Sequence, residues 1–234
     1  EVQTYGLVGK GKHLIPLYNV AELQGKDYAL KTYLLMEYVN GIDGVDILNS
    51  ALDHWSRSEK QKKMKSISSD YLRSVADLHQ KGVYHCDIKP DNFMHARNGD
   101  IRLIDYGLCS NKIYQRGGAT IRYASPEWLE QSRSYNGEKH DSFSLGVTLL
   151  YLNGKLGSPD KLIKLTDSLG QTHHVAKSIS AESGYTPVFI GFEGVSHLKG
   201  ETIDEVIMLL MAKNPRERIS PKRALALPFF TKTP

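Results

Sequence analysis

The sequence predicts an α+β fold, strand-rich over residues 1–39 and helix-rich over residues 40–234. Three observations lead there. Residues 6–31 alternate glycine or polar turns with short apolar runs. Residues 69–81, 141–152 and 202–212 carry apolar side chains at helical spacing or in core-like runs. Between them stands His85-Cys86-Asp87-Ile88-Lys89-Pro90-Asp91-Asn92, a dense group of polar side chains that Asp105-Tyr106-Gly107 follows.

In chain order, Val8-Gly9-Lys10-Gly11 opens a glycine turn. An apolar stretch from Leu14 to Val20, a turn at Gln24-Gly25-Lys26 and Tyr28-Ala29-Leu30-Lys31 follow, which reads as strand, turn, strand, turn, strand. From Tyr28 to Val39 no turn residue intervenes, so the literal reading is one strand of about twelve residues, twice the usual length. Asn40-Gly41 breaks it. Asp43 suits a ribose hydroxyl or a helix cap. Helical spacing runs from Asp46 to Trp55 and again from Ser69 to Lys81, where Gly82 supplies a C-terminal cap. The basic run Arg57 to Lys65 reads as a solvated helix start or loop, with contact to an acidic lipid or protein as its rival. Phe93-Met94 and Ile101 to Ile104 are strands joined by Asn98-Gly99, a hairpin turn that holds Asn92 and Asp105 on one face of a cleft. Asp141 to Leu152 reads as a core helix, and residues 153–200, rich in Gly, Ser and His, as surface loop. His173-His174 has no second ligand pair at a telling spacing and is not expected to hold a metal.

The whole chain narrows the class. Of 234 residues, 40% are hydrophobic and 24% charged, as in a soluble globular protein. The longest apolar stretches are too short to cross a bilayer, and no signal peptide or transmembrane segment is expected. Two cysteines, Cys86 and Cys109, make no disulfide framework, so an intracellular, cytoplasmic protein is expected. A net charge of +4 without interleaved aromatics gives no sign of a nucleic-acid partner.

The polar group around Asp87 points to phosphoryl transfer. Asp87 can accept a hydroxyl proton, Lys89 can reach a phosphate, and Asn92 with Asp105 can hold magnesium through hard oxygen ligands. These residues resemble the catalytic loop and metal-binding loop of eukaryotic-type protein kinases. Ser125-Pro126-Glu127 is similar to that family's Ala-Pro-Glu, and Asn214 to Ser220 looks like its closing motif.

The resemblance implies a two-lobed fold, with a small mainly β lobe (residues 1–39) and a larger mainly α lobe (residues 40–234). It implies ATP and Mg as cofactors, a protein substrate and room for a regulatory protein partner. It implies that Gly9 and Gly11 cover the nucleotide, that Lys31 holds its inner phosphates, and that Met36, Glu37 and Val39 form the hinge beside the base. Thr120 falls where serine/threonine kinases keep a hydroxyl beside the catalytic Asp and Lys. Asp141 would bond amides of the catalytic loop, and Arg218 would pair with Glu127. Cys86 stands where many kinases have arginine, which implies no charge-paired activation by that route. The family's helix and strand between lysine and hinge, roughly forty residues and including the lysine's glutamate partner, have no counterpart near Thr32 or Tyr33. Either that segment is omitted from the sequence or the protein truly lacks it. The motifs are also similar to the casein-kinase-one and vaccinia-related kinase branch, and a bacterial effector kinase acting in host cytoplasm fits as well. An active serine/threonine kinase is the expected function. A pseudokinase scaffold or nucleotide-regulated binding module is the alternative, with a small-molecule kinase behind it.

Overall fold

A computed structural model describes residues 6–9, 11–24, 30–50, 55–115, 118–130, 135–155, 163–175, 177–180 and 186–232. Residues 6–8 are helical. Two strands, β1 (Leu17–Gln24) and β2 (Leu30–Met36), then form an antiparallel hairpin in which Leu17 faces Met36 and Leu23 faces Lys31. Thr32 and Tyr33 pair with Glu22 and Ala21 without interruption, so β2 is a continuous strand and no helix is inserted between Lys31 and Met36. The hairpin is two-stranded, and Tyr18, Leu23, Leu30, Tyr33 and Leu35 on it are exposed.

The stretch before the hairpin is not a third strand of this sheet. Val8, Leu14 and Ile15 are buried in the main hydrophobic core. Leu14 bridges to Leu103, the Leu103 N–H donates to the His13 carbonyl at 2.8 Å, and the His13 ring bonds Asp77 at 2.8 Å. The three-strand reading of residues 6–31 is therefore corrected: Leu14 and Ile15 leave the hairpin because burial against Leu103 removes more apolar surface from water than a free strand does.

A three-stranded sheet carries the site. It comprises β3 (Gly41–Asp43), β4 (Phe93–Ala96) and β5 (Ile101–Leu103), in that order. Gly41 is required here, since a Cβ would run into the His95 carbonyl. Helix α1 (Gly44–Ser50) follows β3 and is capped by the Asp43 carboxylate, which accepts from the amides of Val45 and Asp46. Helix α2 (Arg57–Gln80) begins earlier than apolar spacing alone indicates, because Ser56 and Glu59 form a reciprocal capping box. The basic run is thus its first turns. Gly82, with φ +70°, turns the chain out of α2.

After β6 (Tyr114–Gln115) and helix α3 (Pro126–Leu129), β7 (Tyr135–Asn136) pairs with β6 and leads into helix α4 (Gly137–Leu152), which is buried along nearly its whole length. Residues expected as loop contain two hairpins. Strand β8 (Ile163–Thr166) pairs with β9 (Thr172–Val175), and β10 (Lys177–Ser180) pairs with β11 (Thr186–Phe189). The chain closes with α5 (Ile203–Leu210), α6 (Pro221–Leu225) and α7 (Pro228–Thr231). Among the described residues, no helix is long and apolar enough to cross a membrane.

Candidate active site

The loop from Val83 to Asn92 is held at both ends by backbone. Tyr84 exchanges two backbone hydrogen bonds with Ser110, at 2.8 and 2.9 Å. The Ile104 amide donates to the Asn92 carbonyl at 2.9 Å, which ties the loop to the end of β5. Between these points Cys86 takes φ +65°, a region that non-glycine residues rarely adopt. The strain persists because a buried carboxylate holds the flanking amides. Asp141, in α4, accepts from the His85 amide at 2.7 Å and the Cys86 amide at 2.8 Å. Burial disfavours the charge on Asp141, but the hydrogen bond from His79 and the imidazoles around it outweigh burial and hold its carboxyl below the ordinary range.

His85 is fixed in one tautomer. Its Nε2 lies 3.0 Å from the Ile104 carbonyl, which can only accept, so Nε2 carries the proton. Nδ1 then accepts from the Asp87 amide at 3.3 Å.

Asp87 is largely buried and fully engaged. Its Oδ2 accepts from Lys89 Nζ at 2.8 Å. Its Oδ1 accepts from the Thr120 hydroxyl at 2.6 Å and the Thr120 amide at 2.9 Å. Lys89 also donates to Thr120 Oγ1 at 3.2 Å, closing a triangle across the loop and the 118–127 segment. Burial raises the Asp87 carboxyl, but the bonds from Lys89 and Thr120 overcome it, and the group stays ionised below the usual carboxylate range. An ionised carboxylate held by a lysine and a hydroxyl can orient an incoming hydroxyl group and take up its proton.

Asn92 lies in a 3-10 turn, Pro90–Asn92, and its Nδ2 donates to the Asp87 carbonyl at 2.8 Å. That bond fixes the amide so that Oδ1 is the end left to act as a ligand. Asp105 is exposed, adopts φ +61°, and accepts from the Gly107 amide at 3.3 Å. The Asn92 and Asp105 donor set is two hard oxygens joined through β5. It fits a cation that takes few protein ligands and completes its shell with phosphate and water, as magnesium does. Among the described residues no group of three or more His, Cys, Asp or Glu side chains could hold a metal ion. His173 instead bonds Asp167 at 2.9 Å.

Three residues singled out in the sequence are not brought to this group. Lys31 is exposed on β2 opposite Leu23, and among the described residues no hydrogen bond or ion pair joins it to Asp87, Asn92 or Asp105. Gly9, with φ +58°, lies near Lys81 at the end of α2. Gly11 bridges to Leu14 just before the contact with β5. Gly9, Gly11 and Lys31 are all exposed, while Val8, Leu14 and Ile15 beside the glycines are buried in the core. Met36 ends β2, the Glu37 amide donates to the Pro16 carbonyl, and Val39 is buried. The Asp43 carboxylate caps α1.

Beneath the 118–127 segment, Arg218 is buried and bonds both carboxylate oxygens of Glu127, at 2.6 and 3.1 Å. It also donates to the carbonyls of Ala212, Lys139 and Lys213. Cys86 is buried, and burial followed by the Asp141 charge pushes its thiol pKa up, which leaves no thiolate for redox chemistry. Two residues that the sequence reading passed over complete the frame. His79 bonds Asp141 at 2.8 Å, and His13 bonds Asp77. A histidine in the last turn of a helix that runs into His85 was the available signal for His79.

The chain matches the family model described as protein kinase domain over residues 1–230. It is 31% identical over 195 residues to cyclin-dependent kinase 7 of Dictyostelium discoideum, covering 74% of this chain and 52% of that protein. It is 27% identical over 240 residues to serine/threonine-protein kinase ppk23 of Schizosaccharomyces pombe, covering 92% of this chain and 58% of that protein. It is 30% identical over 159 residues to CBL-interacting protein kinase 1 of Oryza sativa subsp. japonica, covering 64% of this chain and 31% of that protein. The chain thus spans 58% or less of these relatives. With the family model matched along nearly the whole chain and the Asp87 group built as its motifs require, the chain belongs to the protein kinase family.

Proposed function

We propose that this protein is an ATP-dependent serine/threonine kinase acting on protein hydroxyl groups. One observation carries the reading: the Asp87 carboxylate is ionised, held by Lys89 and Thr120, and framed by Asn92 and Asp105. Asp87 orients the acceptor hydroxyl and takes its proton. Lys89 lies where it steadies negative charge on a phosphoryl group in flight. Asn92 and Asp105 supply the oxygens for Mg, which when bound neutralises charge on the ATP phosphates. Thr120, bonded to both Asp87 and Lys89, favours a serine or threonine acceptor. Gly9 and Gly11 are the proposed cover of the nucleotide and Lys31 the proposed partner of its inner phosphates, all three being exposed. Met36, Glu37 and Val39 at the end of β2 are the proposed hinge between a small lobe (residues 1–39) and a large one (residues 40–234). A need for ATP and two unpaired cysteines both accord with an intracellular setting. The intact set of Asp87, Lys89, Asn92 and Asp105 speaks against the pseudokinase alternative.

The test is to incubate the full-length protein with γ-labelled ATP, Mg and a mixed protein substrate, with Asp105→Ala alongside, and to analyse the labelled amino acids. Phosphoserine or phosphothreonine that disappears in the variant is expected. Label on tyrosine alone, or label unchanged by the variant, would overturn the proposal.

A further inference from the structure

We propose that the first turns of α2 bind an anionic lipid surface and hold the protein there by charge. Arg57, Lys60, Lys62, Lys63 and Lys65 crowd into nine residues with a single carboxylate among them, Glu59. That carboxylate is engaged in the helix cap, where it accepts from the Ser56 amide at 2.9 Å and the Ser56 hydroxyl at 2.6 Å. Lys65 Nζ donates to the Lys232 carbonyl at 3.4 Å, which brings a further cation beside the run. The Lys232 side chain is 71% exposed and pairs with Glu201 at 3.4 Å. This placement works against the helix. Cations stabilise the C-terminal end of a helix and oppose its N-terminal end, where the macrodipole is positive. Lys60 with Lys63, and Lys62 with Lys65, add repulsion between like charges on neighbouring turns. The fold gains nothing from five cations at that end, so their concentration answers to a partner outside it.

The chemistry of the run favours a layer of lipid headgroups over a protein partner. Protein interfaces are built on apolar or aromatic anchors and are poor in lysine. Here Met64, the one apolar residue of the run, is buried. Trp55 beside it is half-buried, and the Lys63 ammonium already covers its ring at 3.9 Å from the centre. What the run offers to water is charge on flexible stems. That suits the diffuse negative charge of an acidic leaflet, to which each cation adds a similar increment. The run also lies far from the chemistry. From Arg57 to Gln80 the axis of α2 is about 35 Å long, and Gly82 then turns the chain toward Asp87. Contact at the start of α2 leaves Asp87 and Thr120 clear of the bilayer.

The test is co-sedimentation of the full-length protein with vesicles of phosphatidylcholine alone and of phosphatidylcholine mixed with phosphatidylserine, at low and high salt. Binding to the acidic vesicles is expected, with none to the neutral ones and a steep loss at high salt. A variant combining Arg57→Gln, Lys60→Gln and Lys62→Gln is expected to bind roughly 100-fold more weakly, since each cation near the surface contributes roughly fivefold. Its Tm is expected to equal or exceed that of wild type, because the cations oppose the helix dipole. A second variant, Lys60→Arg with Lys62→Arg, keeps the charge and is expected to bind as wild type does. Absence of binding to acidic vesicles at low salt would overturn the proposal. So would equal binding to neutral vesicles, or a glutamine variant that folds and binds as wild type does. Binding to soluble poly-glutamate as tight as to acidic vesicles of equal charge would assign the run to an acidic protein and overturn the lipid reading. Phosphoryl transfer enters none of these readouts, so the outcome stands apart from that of the kinase assay.

Discussion

Replacing Glu127 by alanine removes one half of a buried ion pair and leaves the other half in place. The Arg218 side chain is inaccessible to solvent and that of Glu127 is 16% exposed, so little water is on hand to replace the lost carboxylate. Breaking such a pair from one side costs about 3–5 kcal/mol, because a charge stays buried without its partner. Arg218 keeps its bonds to the carbonyls of Ala212, Lys139 and Lys213, which places the expected loss near the lower end, about 3 kcal/mol. For a domain of this length that is a fall in Tm of roughly 6–12 °C. The assay is thermal and urea unfolding of wild type and Glu127→Ala, with Arg218→Met and the double variant completing a cycle. The double variant is expected to lose less than the two single losses added together. The effect also carries a pH signature. Burial raises the Glu127 carboxyl, but the hydrogen bond and charge of Arg218 outweigh it, so the folded pKa lies below the ordinary 4.5. A depressed folded pKa gives stability that is present above the unfolded pKa and lost as pH falls through the folded one. The gap between wild type and Glu127→Ala is therefore flat from pH 8 to about pH 5 and shrinks below it. A gap under about 1 kcal/mol at pH 7 would refute the reasoning, since that is the range of an exposed pair.

Further outcomes follow from the same geometry. Lys31→Met removes the ammonium proposed to hold the inner phosphates and is expected to lower kcat/KM by roughly tenfold or more; transfer within about twofold of wild type in a kinetic assay would refute the phosphate-lysine assignment. Thr120→Val removes the hydroxyl that bonds Asp87 at 2.6 Å and Lys89 at 3.2 Å, and is expected to lower kcat by roughly tenfold or more while Tm moves little. Gly191→Ala meets two obstacles, φ +87° and a Cβ that would stand 2.6 Å from the Met211 carbonyl. Its urea unfolding midpoint should fall by an amount equivalent to more than about 2 kcal/mol.

What the sequence revealed depended on how far apart the cooperating residues lie. Asp87, Lys89 and Asn92 fall within one short loop, and Asn98-Gly99 folds Asp105 back beside them through a hairpin that local turn chemistry specifies. Gly82 and Asn40-Gly41 were likewise legible as local punctuation. The path of His13 to Ile15 was not legible, because there tertiary contact decides over local spacing. Leu14 pairs with Leu103 and His13 with Asp77, partners far along the chain that no short motif contains. The early start of α2 was visible in Ser56 and Glu59, but the dense charge of residues 57–65 masked it, because a solvated helix turn shows no apolar stripe. Strands β8 to β11 hid in a Gly, Ser and His composition, although Ile163 and Leu165 alternate with exposed Lys164 and Thr166 as a half-buried strand does. The sequence showed His79 only as one more helical residue; its role depends on a buried carboxylate more than sixty positions away.

The most direct measurement is transfer of the γ-phosphoryl group from ATP to protein serine or threonine by full-length wild type and by Asp87→Ala, with thermal unfolding of both. The geometry predicts transfer by the wild type and none above background by Asp87→Ala, with the variant still folding cooperatively. Transfer that persists in a folded Asp87→Ala protein would contradict the assignment of Asp87 as the residue that orients and deprotonates the acceptor.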